Sequence, residues 1–289
     1  MRHSVFRKVV MTGLALAVFC STAPARAAGD IDAHYAVSLM GMRIGVAQMK
    51  AQLRQERYKI DMWVKLTGLA GVVTGGKGAA SASGTVAGDS VKPGAFAVTT
   101  ASGDKSISVR MALSNGNVRA VAIDPPPPDR PGRIPLRDSD KLGIIDPVSA
   151  LLMPVASSVQ PGDPAACNRT IPVFDGASRF DIPLNFARME TISGMAYQGV
   201  IAVCTGRYTP ISGHQPDRAD MKFMAGNRDI EVWLAPAGSN RLFIPYRIAV
   251  RSPIGLVTIE ATRFPGGANT ENAQNTQITK GSRPVRASN

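Results

Sequence analysis

The sequence predicts an all-β protein: a mainly antiparallel, strongly curved sheet or open barrel, with one short helix near residues 146–157. Three observations carry that expectation. Apolar and polar residues alternate with period two from Ala33 to Ile123 and again from Cys167 onward, as strands with one face toward a core do. Glycine-bearing turn signals recur about every ten residues, the spacing of an antiparallel meander. Near the end, "IPYRIAVRSPIGLVTIEATRF" (Ile244–Phe264) reads as two alternating strands around a tight turn.

The N-terminus stands apart from this pattern. Arg2, Arg7 and Lys8 precede an apolar run from Val9 to about Phe19, and Ala25-Arg26-Ala27 supplies an A-x-A site. That is the three-part form of a secretory signal peptide, expected over residues 1–27 and cleaved on export. The apolar run falls short of the roughly 20 residues a permanent bilayer span needs. Lipid attachment at Cys20 is the competing reading, and the bulky Phe19 before it argues against it. Loss of the segment's four basic residues lowers the formal charge from +12 to +8. The remaining basic residues are scattered, and only Tyr35, Tyr58 and Trp63 are aromatic in the first sixty or so mature positions. A nucleic-acid binder would interleave a basic stripe with stacking rings, so the charge suits solubility and attraction to anionic surfaces. No later stretch is long and apolar enough for a membrane helix. The expected product is a periplasmic protein that does not span the membrane, with a single β-rich domain over residues 28–264 and a polar, disordered tail over 265–289.

Within the domain, "HYAVSLMGMRIGVAQMKAQL" reads as two strands around Gly41, and "RYKIDMWVKLTG" sets Tyr58, Ile60, Met62 and Val64 against Lys59, Asp61 and Lys65. "GTVAGDSVKPGAFAVTT" and "KSISVRMALSNGNVRAVAI" continue the meander, with a hairpin at Asn115-Gly116 because both residues tolerate positive φ. The stretch 124–140 holds six prolines between residues 125 and 135, so it is a connector or edge arm and no central strand. In "IIDPVSALLMPVASS", Asp146 suits a helix cap and Pro147 the first helical position. Val148, Leu151, Leu152 and Val155 share one face, and Pro154 limits the helix to about two turns. Strands resume in "CNRTIPVFDGASRFDIPLNF", turning at Asp175-Gly176, and in "YQGVIAVCTGRY"; "HQPDRADMKFMAGN" is a loop with a possible helix, and "RDIEVWLAP" leads into the last hairpin.

In that hairpin a Ser252–Gly255 turn pairs Val250 with Val257, Ile248 with Ile259 and Tyr246 with Ala261. Arg247 then falls opposite Glu260, and Ala249 opposite Thr258. Such a cross-strand ion pair contributes about 0.2–1 kcal/mol and sets register. The arginines read as a wet sheet face.

Motifs with chemistry are weak. "GVVTGGKG" (Gly71–Gly78) matches a phosphate loop up to its lysine but ends in Gly78 where Ser or Thr must hold magnesium, and a poor helix former follows. It reads as a flexible Gly-rich loop. "SGDK" (Ser102–Lys105) has the S-x-x-K spacing of penicillin-recognising enzymes but sits between strands, not on a helix. His214 in "ISGHQPD" reads as a surface loop residue. Nothing gathers a catalytic set, so no catalysis is expected. Two cysteines remain after cleavage, Cys167 and Cys204. An even pair in an oxidising compartment forms a disulfide, here closing about 37 residues and contributing about 3–4 kcal/mol. With His34 and His214 they offer no familiar zinc spacing, and no cofactor is implied. Trp63, Trp233 and Tyr246 are read as falling on apolar strand faces. They are core residues, or they line a groove for an acyl chain that the short helix would plug.

"HYAVSLMGMRIG", "DPVSALL", "VFDG", the Cys204 strand and "IEVWLAP…LFIPYRIAVRSPIGLVTIEA" together resemble exported proteobacterial proteins of the domain of unknown function 3108 family, over roughly Ala33 to Phe264. The resemblance implies an extracytoplasmic all-β domain and brings no catalytic residues. The expected function is non-catalytic service to the cell envelope: binding of a lipid, lipopolysaccharide or other glycolipid, or an envelope protein, through the curved sheet. The alternative is an interaction scaffold without a small-molecule ligand, and a hydrolase ranks third.

Overall fold

A computed structural model describes residues 30–67, 76–128 and 130–265. The expected signal peptide, the polar tail after residue 265, and most of the "GVVTGGKG" stretch lie outside these residues. The first half is an uninterrupted antiparallel meander in which each strand pairs with the next: β1 (Ile31–Leu39), β2 (Met42–Arg54), β3 (Arg57–Leu66), β4 (Gly76–Ala87), β5 (Ser90–Ser102), β6 (Lys105–Ser114) and β7 (Asn117–Asp124). The turns follow residue chemistry. Met40-Gly41 and Asn115-Gly116 both adopt positive φ, the pairing that matches the twist of adjoining strands.

After a two-residue strand β8 (Met153–Pro154), the second half contributes β9 (Arg169–Phe174), β10 (Arg179–Ser193), β11 (Gln198–Gly206), β12 (Thr209–Ser212), β13 (Ile230–Ala237), β14 (Ser239–Ser252) and β15 (Gly255–Arg263). The strand order is β12-β10-β11-β13-β14-β15-β1-β2-β3-β4-β5-β6-β7, with β8 on β14 and β9 on β10. Both halves therefore form one curved sheet, joined where β15 pairs antiparallel with β1. The sheet does not close into a barrel. The last hairpin takes the expected register for Arg247 opposite Glu260, Ile248 Ile259, Ala249 Thr258 and Val250 Val257, but the expected pairing of Tyr246 with Ala261 does not extend it.

The two edge strands β7 and β12 are spanned by the proline-rich connector. Just past β12, Ile134 donates its amide to the carbonyl of His214 at 2.9 Å and accepts from Gly213 at 2.8 Å, while the Arg133 guanidinium reaches the carbonyls of Gly213 and Ala177, each at 2.6 Å. The β9–β10 turn packs against the first half so closely that a Cβ on Gly176, at φ +100, would fall 2.5 Å from Val109. Only glycine fits there.

Alternate residues of the second-half strands feed two cores. Ile201, Ala235, Ile244 and Tyr246 join the large cluster inside the curve, with Tyr35, Met49, Ile60, Phe96 and Phe174. Ala202, Cys204, Leu234 and Phe243 point to a smaller cluster with Met153, Val155 and Cys167. The Cys167–Cys204 disulfide is formed, and both residues are fully buried in that second core.

Two elements differ from expectation. The segment 146–157 holds no α-helix: it makes one 3-10 turn, Ser149–Leu151, and then extends into β8. Asp146 is not the N-cap of that turn, which is Val148, but its Oδ1 accepts from the amides of Val148 and Ser149 at 3.0 and 2.9 Å. Pro154 disfavours helix at Met153, and pairing of Met153 and Pro154 with β14 draws the chain straight. The α-helix, α1, is Ala219–Gly226, in the stretch expected to be a loop with a possible helix. None of its residues is buried, so its sequence carries little amphipathic signal. The second difference is β4, whose Gly76–Gly78 fall in the stretch read as a Gly-rich loop but open a strand that pairs continuously with β3 from Gly76 to Thr85.

Candidate functional site

The inward face of the meander encloses a cavity of about 470 Å³. Its wall is built by strand alternation: Tyr35 and Val37 from β1, Ala47 and Met49 from β2, and Met62, Val64 and Leu66 from β3 all lie on it. Opposite Val64 and Met62, β4 presents Gly78 and Ala80. A sheet lined by bulky residues throughout would fill its own curve; here the small residues of β4 leave space. Val98 and Thr100 of β5 continue the wall, and Ile248 and Ile259 close it from the second half. Among the described residues, Tyr35 and Thr100 bring the hydroxyls to the lining, and Tyr35 donates its own to the Pro245 carbonyl at 3.0 Å.

The floor is the 146–152 segment, through Pro147, Val148 and Leu151. A buried polar lock fastens it. Tyr58 Oη lies 2.6 Å from Ser149 Oγ, and Tyr58 reaches it by passing over Gly84, where a Cβ would sit 2.8 Å from that oxygen. Burial pushes the Tyr58 phenol well above its ordinary range. Burial also raises the carboxyl of Asp146, against the lowering pull of its hydrogen bonds from Ser149 and Val148. Its Oδ2 is buried without a partner. A second cavity of about 590 Å³ lies elsewhere and is polar, with Asp89, Lys92, Asn168 and Arg169 in its wall.

The three aromatic residues singled out from the sequence do not come together. Trp63 alternates with the inward residues of β3; it is 43% exposed, its indole donates to Gln48 Oε1 at 2.7 Å, and it borders both the cavity and a shallow depression beside Gln48, Lys50 and Asp61. Trp233 is not in the cavity wall. Partly buried against the large core, it has two guanidinium groups over its ring, Arg247 at 5.0 Å and Arg188 at 5.6 Å, and donates to Glu231 Oε2 at 3.0 Å. Arg188 in turn holds Glu231 at 2.9 Å and keeps its carboxyl below the usual range. Tyr246 sits at a β-bulge that leaves it without a partner on β13, and packs on Tyr197 and Phe264 at ring distances of 6.0 and 5.8 Å. The residues that sequence reasoning missed are Gly78 and Ala80. The available signal was their place opposite Val64 and Met62, two small residues facing bulky ones on an inward face.

The weak motifs dissolve into the sheet. Ser102 and Lys105 face each other across the β5–β6 turn. Gly76–Gly78 opens β4. His214 is buried, contrary to the surface position expected, and its Nδ1 has no partner. Among the described residues, no group of three His, Cys, Asp or Glu could hold a metal ion, and no helix is long and apolar enough to cross a membrane.

The fold and its cavity define a class: an open, curved antiparallel β-sheet protein with an apolar trough. Within that class the chain belongs to the DUF3108 family of proteins of unknown function, whose match covers residues 33–262. No curated protein matches its sequence. Among solved structures it is similar to a beta-barrel-like protein of domain of unknown function DUF1849 from Brucella abortus, with 8% identity, 82% of this chain and 97% of that chain covered, and a TM-score of 0.49.

Proposed function

We propose that this protein is a non-catalytic periplasmic protein of the cell envelope that binds the acyl chain of a lipid or glycolipid in the trough of its curved sheet. The observation that carries the reading is the cavity of about 470 Å³ walled almost wholly by aliphatic side chains and kept open by Gly78 and Ala80. Its size lies within the roughly 300–1,000 Å³ of small-molecule sites. An ordered water needs two to four polar partners, which this wall does not offer, whereas each methylene transferred into it gains about 0.8 kcal/mol. The signal-like N-terminus and the buried disulfide support an oxidising, extracytoplasmic location. A structural role for the polar groups supports a non-catalytic reading: Tyr58, Ser149 and Asp146 fasten the cavity floor.

The test is native mass spectrometry of the mature protein taken from a periplasmic extract, followed by organic extraction. A stoichiometric acyl-chain species is the expected result. A clean apo mass that stays unchanged after incubation with envelope lipids would overturn the reading and favour an interaction scaffold. His214→Ala with an altered envelope phenotype would revive the hydrolase alternative.

A further inference from the structure

We infer that the protein docks on a lipid bilayer through two neighbouring hairpin tips, Met40–Met42 between β1 and β2 and Pro253–Gly255 between β14 and β15, which bring the adjoining rim of the trough to the membrane; the inference rests on the acyl-chain reading of the cavity. The tips touch. The Met40 amide donates to the Leu256 carbonyl at 2.8 Å, and the Met40 side chain lies over Gly255 so closely that a Cβ there would fall 2.4 Å from its Cγ. Met40, Met42 and Ile254 are still 57%, 52% and 52% exposed. Met40 is also a costly choice for its place. It adopts φ 49°, in a left-handed turn where glycine, asparagine and aspartate fit best. A methionine there gives up turn stability and adds exposed apolar surface. Water returns neither loss, and an apolar partner returns the second.

The sheet register ties the tips to the trough. Ile259, Val37, Gly45 and Leu66 stand in one row across β15, β1, β2 and β3, and Ile259, Val37 and Leu66 line the cavity. The next row toward the tips is Val257, Leu39 and Met42, a bulge keeping Met42 opposite Leu39 on the same face. Two residues of a strand span about 7 Å, so Met42 stands about that far from the trough wall. Apolar surface runs from the tips to the aliphatic interior, a path that an acyl chain can follow. The size of the patch selects a bilayer over a protein. Three half-exposed side chains present a few hundred Å², short of the roughly 800 Å² that each partner buries in a stable protein interface. Shallow insertion at the head-group boundary needs no such area. Neither tip carries a carboxylate. The charges beside them are Arg43, exposed next to Met42, and Arg251, held by Asp229; a guanidinium beside an inserted side chain reaches the head groups on its own stem.

The test is flotation of the mature protein with vesicles of phosphatidylcholine and of phosphatidylethanolamine mixed with phosphatidylglycerol, run beside calorimetric titration with tetradecanoate in solution. The parent protein is expected to float with both. Met40→Asn with Met42→Thr and Ile254→Asn is expected to lose about tenfold or more in vesicle affinity and to keep its affinity for tetradecanoate. Met40→Asn alone should weaken flotation while leaving the melting temperature unchanged or higher, because asparagine suits the left-handed turn; a merely structural role for Met40 would not give that pair of results. A control, Met189→Thr with Met195→Asn, removes apolar side chains that are 62% and 99% exposed away from the tips and should float as the parent does; thermal melts show that each variant is folded. A parent that binds tetradecanoate but does not float would overturn the docking inference and leave the cavity reading standing. Neither flotation nor tetradecanoate binding would overturn both. Flotation that the triple variant retains would overturn the role of the tips, and a parent dimer that the triple variant dissolves would assign them to a second copy and overturn the bilayer.

Discussion

Replacing Ala80 by phenylalanine tests whether the trough is real space. Ala80 faces inward between Met62 of β3 and Val98 of β5 and lines the cavity of about 470 Å³. In a filled core, the added ring would force its neighbours apart and cost about 1–3 kcal/mol. In an open apolar trough it has somewhere to go, and burying a side chain of this size gains about 1.5–3 kcal/mol. Ala80→Phe is therefore expected to leave the melting temperature unchanged or raise it by a few degrees. Its effect on ligand should be opposite. If the ring excludes about four methylenes at about 0.8 kcal/mol each, affinity for an acyl chain falls by about 3 kcal/mol, on the order of a hundredfold. Thermal unfolding and titration with tetradecanoate, run on the same preparation, read both arms. A variant destabilised by several kcal/mol would show that the space is not there to be filled, and an unchanged affinity would show that the chain binds elsewhere.

Three further outcomes follow from the same geometry. Cys167→Ala with Cys204→Ala opens a loop of 37 residues, and the chain-entropy model gives a loss of about 4 kcal/mol, or about 10 °C in melting temperature; identical melts with and without reductant would contradict it. A double-mutant cycle on Arg247 and Glu260, 3.6 Å apart and partly exposed, should give a coupling near the low end of about 0.2–1 kcal/mol, while Arg247→Ala alone costs more than Glu260→Ala because it also removes the stack on Trp233. Asp146 is an acid whose folded-state pKa is raised by burial, so its ionisation penalises the fold: the penalty is absent below the unfolded carboxylate value of about 3.9 and grows as pH rises toward the folded value. Asp146→Asn keeps the oxygen that accepts from Val148 and Ser149 and stays neutral, so its stability relative to the parent should rise with pH through that window. A difference that is flat between acid and neutral pH would refute this.

Much of the fold was legible because its signals are local. The Ser252–Gly255 turn with alternation on either side fixed Ile248 against Ile259, and Asn115-Gly116 fixed the β6–β7 register, since positive φ at two successive positions admits few other residues. The disulfide followed from the even cysteine count and the oxidising compartment that the N-terminal residues led one to expect. β4 was illegible for a physical reason: in "GKGAASAS" both faces carry small residues, so period two leaves no contrast in hydrophobicity to read. The candidate site was missed by the same token. Large aromatics attract attention as groove formers, yet Trp63 follows the polar parity of β3, Trp233 is taken up by Arg188 and Arg247, and the bulge that re-aims Tyr246 has no signature in sequence. A cavity exists where side chains are small, and small residues are the quietest in any pattern.

The trough persists because polar groups, more than apolar packing, hold its walls apart. A closed barrel would set its own diameter through strand number and stagger, but here the edge strands β7 and β12 do not pair. The chain between them crosses the opening and fixes its width. Ile134 is tied to Gly213 and His214 beyond β12, Ile144 donates to Gly116 in the β6–β7 turn at 2.7 Å, and Ser149 meets Tyr58 on β3 at 2.6 Å. Collapse of β3 and β4 onto the floor would slide Tyr58 off Ser149 and strand a buried hydroxyl, at a cost of about 1–3 kcal/mol. It would also disturb the hydrogen bonds to Asp146, whose carboxyl is already strained by burial. The apolar gain from closing the trough must exceed these losses, and with Gly78 and Ala80 as the opposing wall there is little side-chain surface to gain. On the proposed reading an acyl chain would supply that missing surface without moving the strap, so the geometry that resists collapse is also the geometry the proposal requires.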